Sequence, residues 1–123
     1  MKKEKAIVTG GAGFIGSNLV DKLIDMDIDV HIIDDLSTGF EKNINTKAKF
    51  HNLDISKLDP DDNWPELENT DVVFHTAALA RVQPSIENPI PFDNVNVSGT
   101  LRMLKLAHNL GVKRFVYSAS SSC

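Results

Sequence analysis

The sequence has one cysteine, one tryptophan and one tyrosine among 123 residues. The cysteine is Cys123, so no disulfide can form within the chain. Cations are not in excess. Thirteen Lys and Arg stand against 17 Asp and Glu, a net charge of -4, which leaves no basic footprint for nucleic acid or an anionic membrane. Lys2, Lys3 and Lys5 form a small basic cluster that reads as a solvated terminus. No apolar run approaches the ~20 residues of a membrane-spanning helix. Ala6–Val8 is also far too short for the apolar region of a signal peptide. What remains is an ordinary globular composition, 41% hydrophobic and 24% charged, in a chain long enough for one domain with one core. A cytoplasmic protein is expected, with residues 1–123 forming a single domain.

Short apolar runs alternate with a helical period. Lys5–Thr9, Val30–Ile33, Lys49–Leu53, Asp71–His75 and Val112–Ser118 read as strands, the fourth continuous enough for a sheet buried on both faces. Phe14 to about Met26 reads as a helix, closed by Asp25, Asp27 and Asp29. Residues 37–47 read as a loop with room for a helical turn. Asp59-Pro60-Asp61-Asp62-Asn63 is read as a solvated turn that caps a short helix around Trp64–Glu68, with Trp64 in a packing role. Thr76–Glu87 is irregular. Asn88-Pro89 opens a second long helix, which runs to about Asn109 and stops at Gly111. This β-α-β-(loop)-β-α-β-α-β order calls for a doubly wound α/β parallel sheet of order 3-2-1-4-5, with ligand at the carboxyl edge between strands 1 and 4. On the second helix Val97, Leu101, Met103, Leu104, Leu106, Ala107 and Leu110 cover roughly 220°, where covering a sheet needs little more than ~100°. The surplus would face a partner subunit or a part of the chain not present here, and the first of these, a homodimer through helix 89–110, is the expectation.

The first strand leads into Gly10-x-x-Gly13-x-x-Gly16, and a helix follows. In this setting the first glycine permits the tight turn, the second lets backbone approach a pyrophosphate, and the third brings helix and strand close. A nucleoside-triphosphate loop would need Gly-Lys-Ser/Thr, but Ser17-Asn18 follow Gly16, and that reading is rejected. Asp34 ends strand 2, where a carboxylate accepts from both adenosine ribose hydroxyls and repels a 2′-phosphate, so NAD is favoured over NADP. Asp35 is its neighbour. Asp54 and Ile55, after strand 3, are placed against the adenine, the carboxylate toward its amino group and Ile55 on the ring.

These residues resemble the extended short-chain dehydrogenase/reductase proteins, in their nucleotide-sugar epimerase/dehydratase branch. The resemblance runs from Ile7 to Cys123. It is carried by Thr9–Gly16, Asp34–Gly39, Leu53–Ile55, His75–Ala78, Asn96–Thr100 and Val112–Ser122. It implies a Rossmann-type fold with Phe14 and Ile15 in the cofactor turn. Thr76, Ala77 and Ala78 would lie along the nicotinamide ribose and pyrophosphate, and His75 is read as structural, not catalytic. Asn96 would stabilise the site, and Asn96 and Gly99, poor helix formers, suit a constrained position. Arg81 and Ser85 would approach the sugar nucleotide, Ser118 would contact cofactor, and Ser120 would be the catalytic hydroxyl on the sugar oxygen being oxidised. Tyr117 lies within strand 5 and is not taken as the catalytic tyrosine.

Sugar-nucleotide 4,6-dehydratases place Asp-Glu after that serine, where this chain has Ser121-Ser122. The resemblance is therefore greatest to 4-epimerases acting on UDP-glucose or UDP-N-acetylglucosamine. In these a tyrosinate removes the 4-hydroxyl proton, hydride passes from C4 to NAD, and it returns to the other face of a 4-keto sugar. The family's Tyr-x-x-x-Lys helix would follow strand 5, beyond Cys123. The expectation is an N-terminal portion, truncated after strand 5, that binds NAD weakly and does not turn over substrate. Alternatives are another extended family member (a dehydratase or an NAD(P)-dependent reductase) and a non-catalytic dinucleotide-binding module.

Overall fold

The computed structural model describes residues 3–10, 14–35, 41–55, 57–76 and 99–117. In chain order these form β1 (Lys5–Thr9), α1 (Phe14–Asp25), β2 (Asp29–Asp34), a 3-10 turn (Glu41–Asn43) and β3 (Lys49–Asn52). A second 3-10 turn (Pro65–Leu67), β4 (Val72–His75), α2 (Gly99–Leu110) and β5 (Arg114–Tyr117) follow. The five strands make one sheet in the order β3-β2-β1-β4-β5, every pair parallel. This is the doubly wound order the sequence predicts. The predicted helix near Trp64–Glu68 is a single 3-10 turn, and the loop before β3 holds another. Residues 77–98, including the predicted start of the second helix, lie outside the described set.

Burial explains why β1 is central. Ala6, Ile7 and Val8 are fully inaccessible, so their alternating side chains feed a core on each face. Ala6, Val8, Val30, Ile32 and Val72 pack with Val20 and Leu23 of α1. Ile7, Ile33 and Val73 pack with Leu58, Leu67 and the α2 residues Met103, Leu106 and Ala107. Burial of this kind contributes about 1.5–3 kcal/mol per large aliphatic side chain. On α2 the sheet takes only part of the apolar arc. Leu101 and Leu104 remain 61% and 43% exposed.

Both helices end in the same way. After α2, Gly111 at φ 72 lets its N–H reach the His108 carbonyl at 3.1 Å and Val112 reach Ala107 at 3.0 Å, a Schellman closure. After α1 the same two bonds run from Asp27 to Ile24 (2.9 Å) and from Ile28 to Leu23 (3.1 Å). There Asp27 adopts the left-handed conformation at φ 63, a position glycine occupies at less cost. The acidic turn anchors α2: Asp61 accepts from Lys105 Nζ at 3.0 Å and Asn109 Nδ2 at 3.1 Å. These two bonds hold the Asp61 carboxyl below its usual range. Trp64 packs against the α2-side core and donates from Nε1 to the Asp59 carbonyl at 2.9 Å.

His31 is one of the polar groups buried in the sheet. His31 Nδ1 lies 3.0 Å from His51 Nε2, with ring centroids 5.3 Å apart and planes within 12°. So short an N···N contact at that centroid distance puts the rings end to end in nearly one plane, not face to face. His31 Nε2 then points toward Asp29 Oδ2 at 3.7 Å, too far for a hydrogen bond, and has no partner among the described residues. Burial pushes the His31 imidazole down to about 4, against a smaller opposing pull from Asp29. His51 is lowered too, again by burial.

A histidine whose folded pKa is depressed stabilises the fold fully above its ordinary 6.5 and loses that contribution as pH falls toward the folded value, because the unfolded chain binds the proton more readily. The unfolding free energy from urea titrations is therefore expected to fall between pH 6.5 and about 4, by on the order of 3 kcal/mol for each fully buried imidazole, and the midpoint with it. Asp29 and Asp61, held below their ordinary 3.8, add acid sensitivity only beneath that window. A midpoint that stays flat from pH 7 to pH 4.5 would contradict the assignment of His31 as a buried neutral ring.

Candidate functional site

In an open parallel sheet a crevice forms at the carboxyl ends of the strands, where chain crossings diverge to opposite sides. Here β1 pairs with β2 on one side and β4 on the other, which puts that crevice above Thr9. Four strand ends are tied at this level. Gly10 N donates to the Ile33 carbonyl at 2.9 Å, Leu53 N to the Asp34 carbonyl at 3.2 Å, and Thr76 N to the Thr9 carbonyl at 3.2 Å. The Thr76 hydroxyl also donates to the Thr9 carbonyl. Thr76 is 6% exposed, so its side chain is engaged in joining β1 to β4 while its backbone sits at the rim.

The predicted site residues sort by this edge. Gly10 turns the chain out of β1 at φ 74, a conformation that favours glycine. Gly16 is buried, and Ile15 is 54% exposed in the first turn of α1. Asp34 ends β2 at 8% exposure, and Asp35 beside it is exposed. Asp54 is half-buried after β3. Ile55 is 7% exposed and belongs to the α2-side core. The structure thus brings Gly10, Asp34, Asp54, Ile55 and Thr76 to one edge of the sheet. Gly13, Ala77, Ala78, Arg81, Ser85, Asn96, Ser118 and Ser120 lie outside the described residues, as does the side chain of Phe14.

The donor set on this edge fits a dinucleotide. A left-handed glycine leads from a buried strand toward a helix N-terminus, the end whose dipole favours a pyrophosphate. A carboxylate closes the neighbouring strand at ribose distance in such folds. A cleft of about 520 Å3, lined by Lys3, Glu4, Asp71 and Arg114 among others, opens instead at the amino ends of the strands. That is the edge at which sheets of this class do not bind ligand.

Sequence reasoning missed how His75 is used. Its Nδ1 lies 2.8 Å from Thr9 Oγ1 and its Nε2 lies 2.9 Å from Thr100 Oγ1. The ring sits 5.8 Å from that of Phe115, tilted by 39°. It is wholly buried, and burial pushes it down to about 4, so it is neutral at physiological pH. A neutral ring donates through one nitrogen and accepts at the other, and hydroxyls can serve both. The readable signal was a histidine ending an apolar strand that pairs with a threonine-ended one.

A model of the NAD dependent epimerase/dehydratase family matches residues 6–123. A provisionally named UDP-glucose 4-epimerase of Methanocaldococcus jannaschii is 44% identical over 114 residues, 93% of this chain and 37% of that protein. The crystal structure of a Thermotoga maritima UDP-glucose 4-epimerase with UDP-glucose superposes with a TM-score of 0.86 at 38% identity, over 94% of this chain and 37% of that one. A Methanobrevibacter ruminantium UDP-N-acetylglucosamine 4-epimerase, in complex with UDP-N-acetylmuramic acid, gives 0.85 at 37% identity, over 99% and 39%. The chain thus spans little more than a third of the length of these relatives.

The glycine predicted to sit at a constrained position does so because of Ile55. A Cβ on Gly99 would lie 2.7 Å from Ile55 Cδ1 and 2.8 Å from Cγ1. Alanine would gain about 1 kcal/mol in helix propensity, but overpacking costs about 1–3 kcal/mol. Gly99→Ala is expected to lower stability by about 1 kcal/mol net. Ile55→Ala removes both close atoms, so in urea unfolding it should cost less in the Gly99→Ala background than in the wild type, a coupling of about 1 kcal/mol. An unchanged midpoint in the single variant would show that Ile55 yields freely.

Proposed function

The chain belongs to the NAD dependent epimerase/dehydratase family, and from that premise we propose that it forms the NAD-binding portion of a UDP-hexose 4-epimerase. The observation that carries the reading is the carboxyl edge itself, where the Gly10 turn leaves β1 next to the Asp34 carboxylate that ends β2. The relatives named as UDP-sugar 4-epimerases share this portion. NAD, when bound, would supply a transient hydride acceptor.

The chain's own groups have distinct tasks in this reading. Gly10, Gly13 and Gly16 bring backbone N–H groups to the pyrophosphate, with Phe14 and Ile15 beside it. Asp34 accepts from the adenosine ribose hydroxyls, with Asp35 next to it, and Asp54 and Ile55 border the adenine. Thr76, Ala77 and Ala78 line the path toward the nicotinamide, with Asn96 and Ser118 near it. Ser120 holds the sugar oxygen by a hydrogen bond while its proton leaves to a tyrosine on a later Tyr-x-x-x-Lys helix. UDP-glucose and UDP-N-acetylglucosamine are the substrates proposed. The exposed Leu101 and Leu104 support a homodimer through helix 89–110, and a cytoplasmic location accords with the composition.

The protein carrying this sequence in full is expected to interconvert UDP-glucose and UDP-galactose, or their N-acetyl counterparts, with no net NADH formed. Product analysis by chromatography checks this. Accumulation of NADH or of a dehydrated sugar would favour a reductase or a dehydratase instead. The 123-residue piece alone should show no turnover. Asp34→Asn should weaken NAD binding by about tenfold, the effect of losing roughly 1.4 kcal/mol, and should narrow the preference for NAD over NADP. Calorimetric titration of both cofactors reads that change.

A further inference from the structure

The contacts of His75 join three elements at one point. Thr9 ends β1 and precedes the glycine turn, His75 ends β4, and Thr100 lies in the first described turn of α2. Thr9 and His75 are wholly buried, and 66 residues of chain separate them. The surrounding core on this face is apolar: Ile7, Ile33, Val73 and, partly buried, Phe115. An apolar side chain in place of His75 would satisfy such a core without desolvating two ring nitrogens. A polar triad in which both nitrogens of a buried ring meet a hydroxyl brings direction in return: it fixes where its members sit.

Resting on the NAD reading above, we propose that Thr9, His75 and Thr100 form a strut that sets the height of the glycine turn against α2, and that His75 and Thr100 are positioning residues for the cofactor. The strut acts through the backbone it holds. The Thr9 carbonyl takes both Thr76 bonds, and the next residue is Gly10, whose N–H is fixed on Ile33. A shift of Thr9 therefore moves the first glycine and the β4 rim together. On the far side, the tight approach of Gly99 to Ile55 prevents α2 from sliding toward β3 to compensate.

The test keeps shape and removes one hydroxyl. In the protein carrying this sequence in full, Thr100→Val is nearly isosteric, and Thr100→Ser restores the hydroxyl. Thr100→Val is expected to raise the NAD dissociation constant about five- to tenfold, the effect of one lost hydrogen bond near the cofactor turn. Thr100→Ser should stay within about twofold, and the thermal midpoint of the cofactor-free protein should move by only a few degrees in either. Thr9→Val cuts the strut at its other end and gives the same reading should Thr100→Val fail to fold. NAD affinity within twofold of wild type in the folded valine variant overturns the strut, whatever the midpoint does, because the contact is then structural only. Equal weakening in the valine and serine variants overturns it as well, since the hydroxyl is not the agent. A wild-type protein that binds no NAD by calorimetry overturns the NAD reading itself, and the strut with it.

Discussion

Everything at the cofactor edge depends on β1 being bonded on both sides while its side chains are buried on both faces. A strand in that position can go nowhere. Its register with β2 and β4 places Thr9 level with Ile33 and His75, and so decides where the next residue must turn. Gly10 turns there at positive φ, and the helix it leads to lies over the α1-side core. The opening of the crevice is thus a consequence of burial below it, more than of any residue within it.

The two buried histidines show how differently one side chain is accommodated in one core. His75 has both ring nitrogens engaged by hydroxyls and lies next to the crevice. His31 has one nitrogen engaged by His51 and the other aimed across 3.7 Å at Asp29, a carboxylate also held by Lys49 at 3.1 Å. Both are neutral because burial disfavours the cation. The His31 pair, lying below the rim, leaves its unsatisfied nitrogen at the β2/β3 side, and the His75 contacts lie at the centre.

Much of this was legible in the sequence, for identifiable reasons. The short apolar runs pointed to five strands, and their alternation with helical patterns pointed to a parallel sheet and its order. Glycine spacing after a strand located the turn out of β1, and the carboxylate read at the end of the next strand is Asp34, the last residue of β2. Boundaries were less legible, since Trp64–Glu68 yields one 3-10 turn where Pro65 and Asn69 at φ 66 leave no room for a longer helix. The αL residue closing α1 was not legible because it is Asp27 and not glycine. The strut was not legible either. It joins residues far apart in sequence, and a lone histidine carries no periodic signal. The constraint at Gly99 could be suspected from its poor helix propensity, but its cause, Ile55, is a tertiary contact.

The topology also orders events in time. β1 lies at the middle of the sheet, yet its β4 partner is 66 residues downstream, as the Thr9–His75 pair shows. At a synthesis rate of roughly 5–20 residues per second, β1 waits roughly 3 to 13 seconds before that edge can be covered. Until then β2 is its only neighbour, and a two-stranded parallel pair is marginal. The most buried strand of the finished domain is therefore the one whose apolar, unpaired edge is open longest while the chain is made. That interval is where chaperone capture or mispairing would compete with folding.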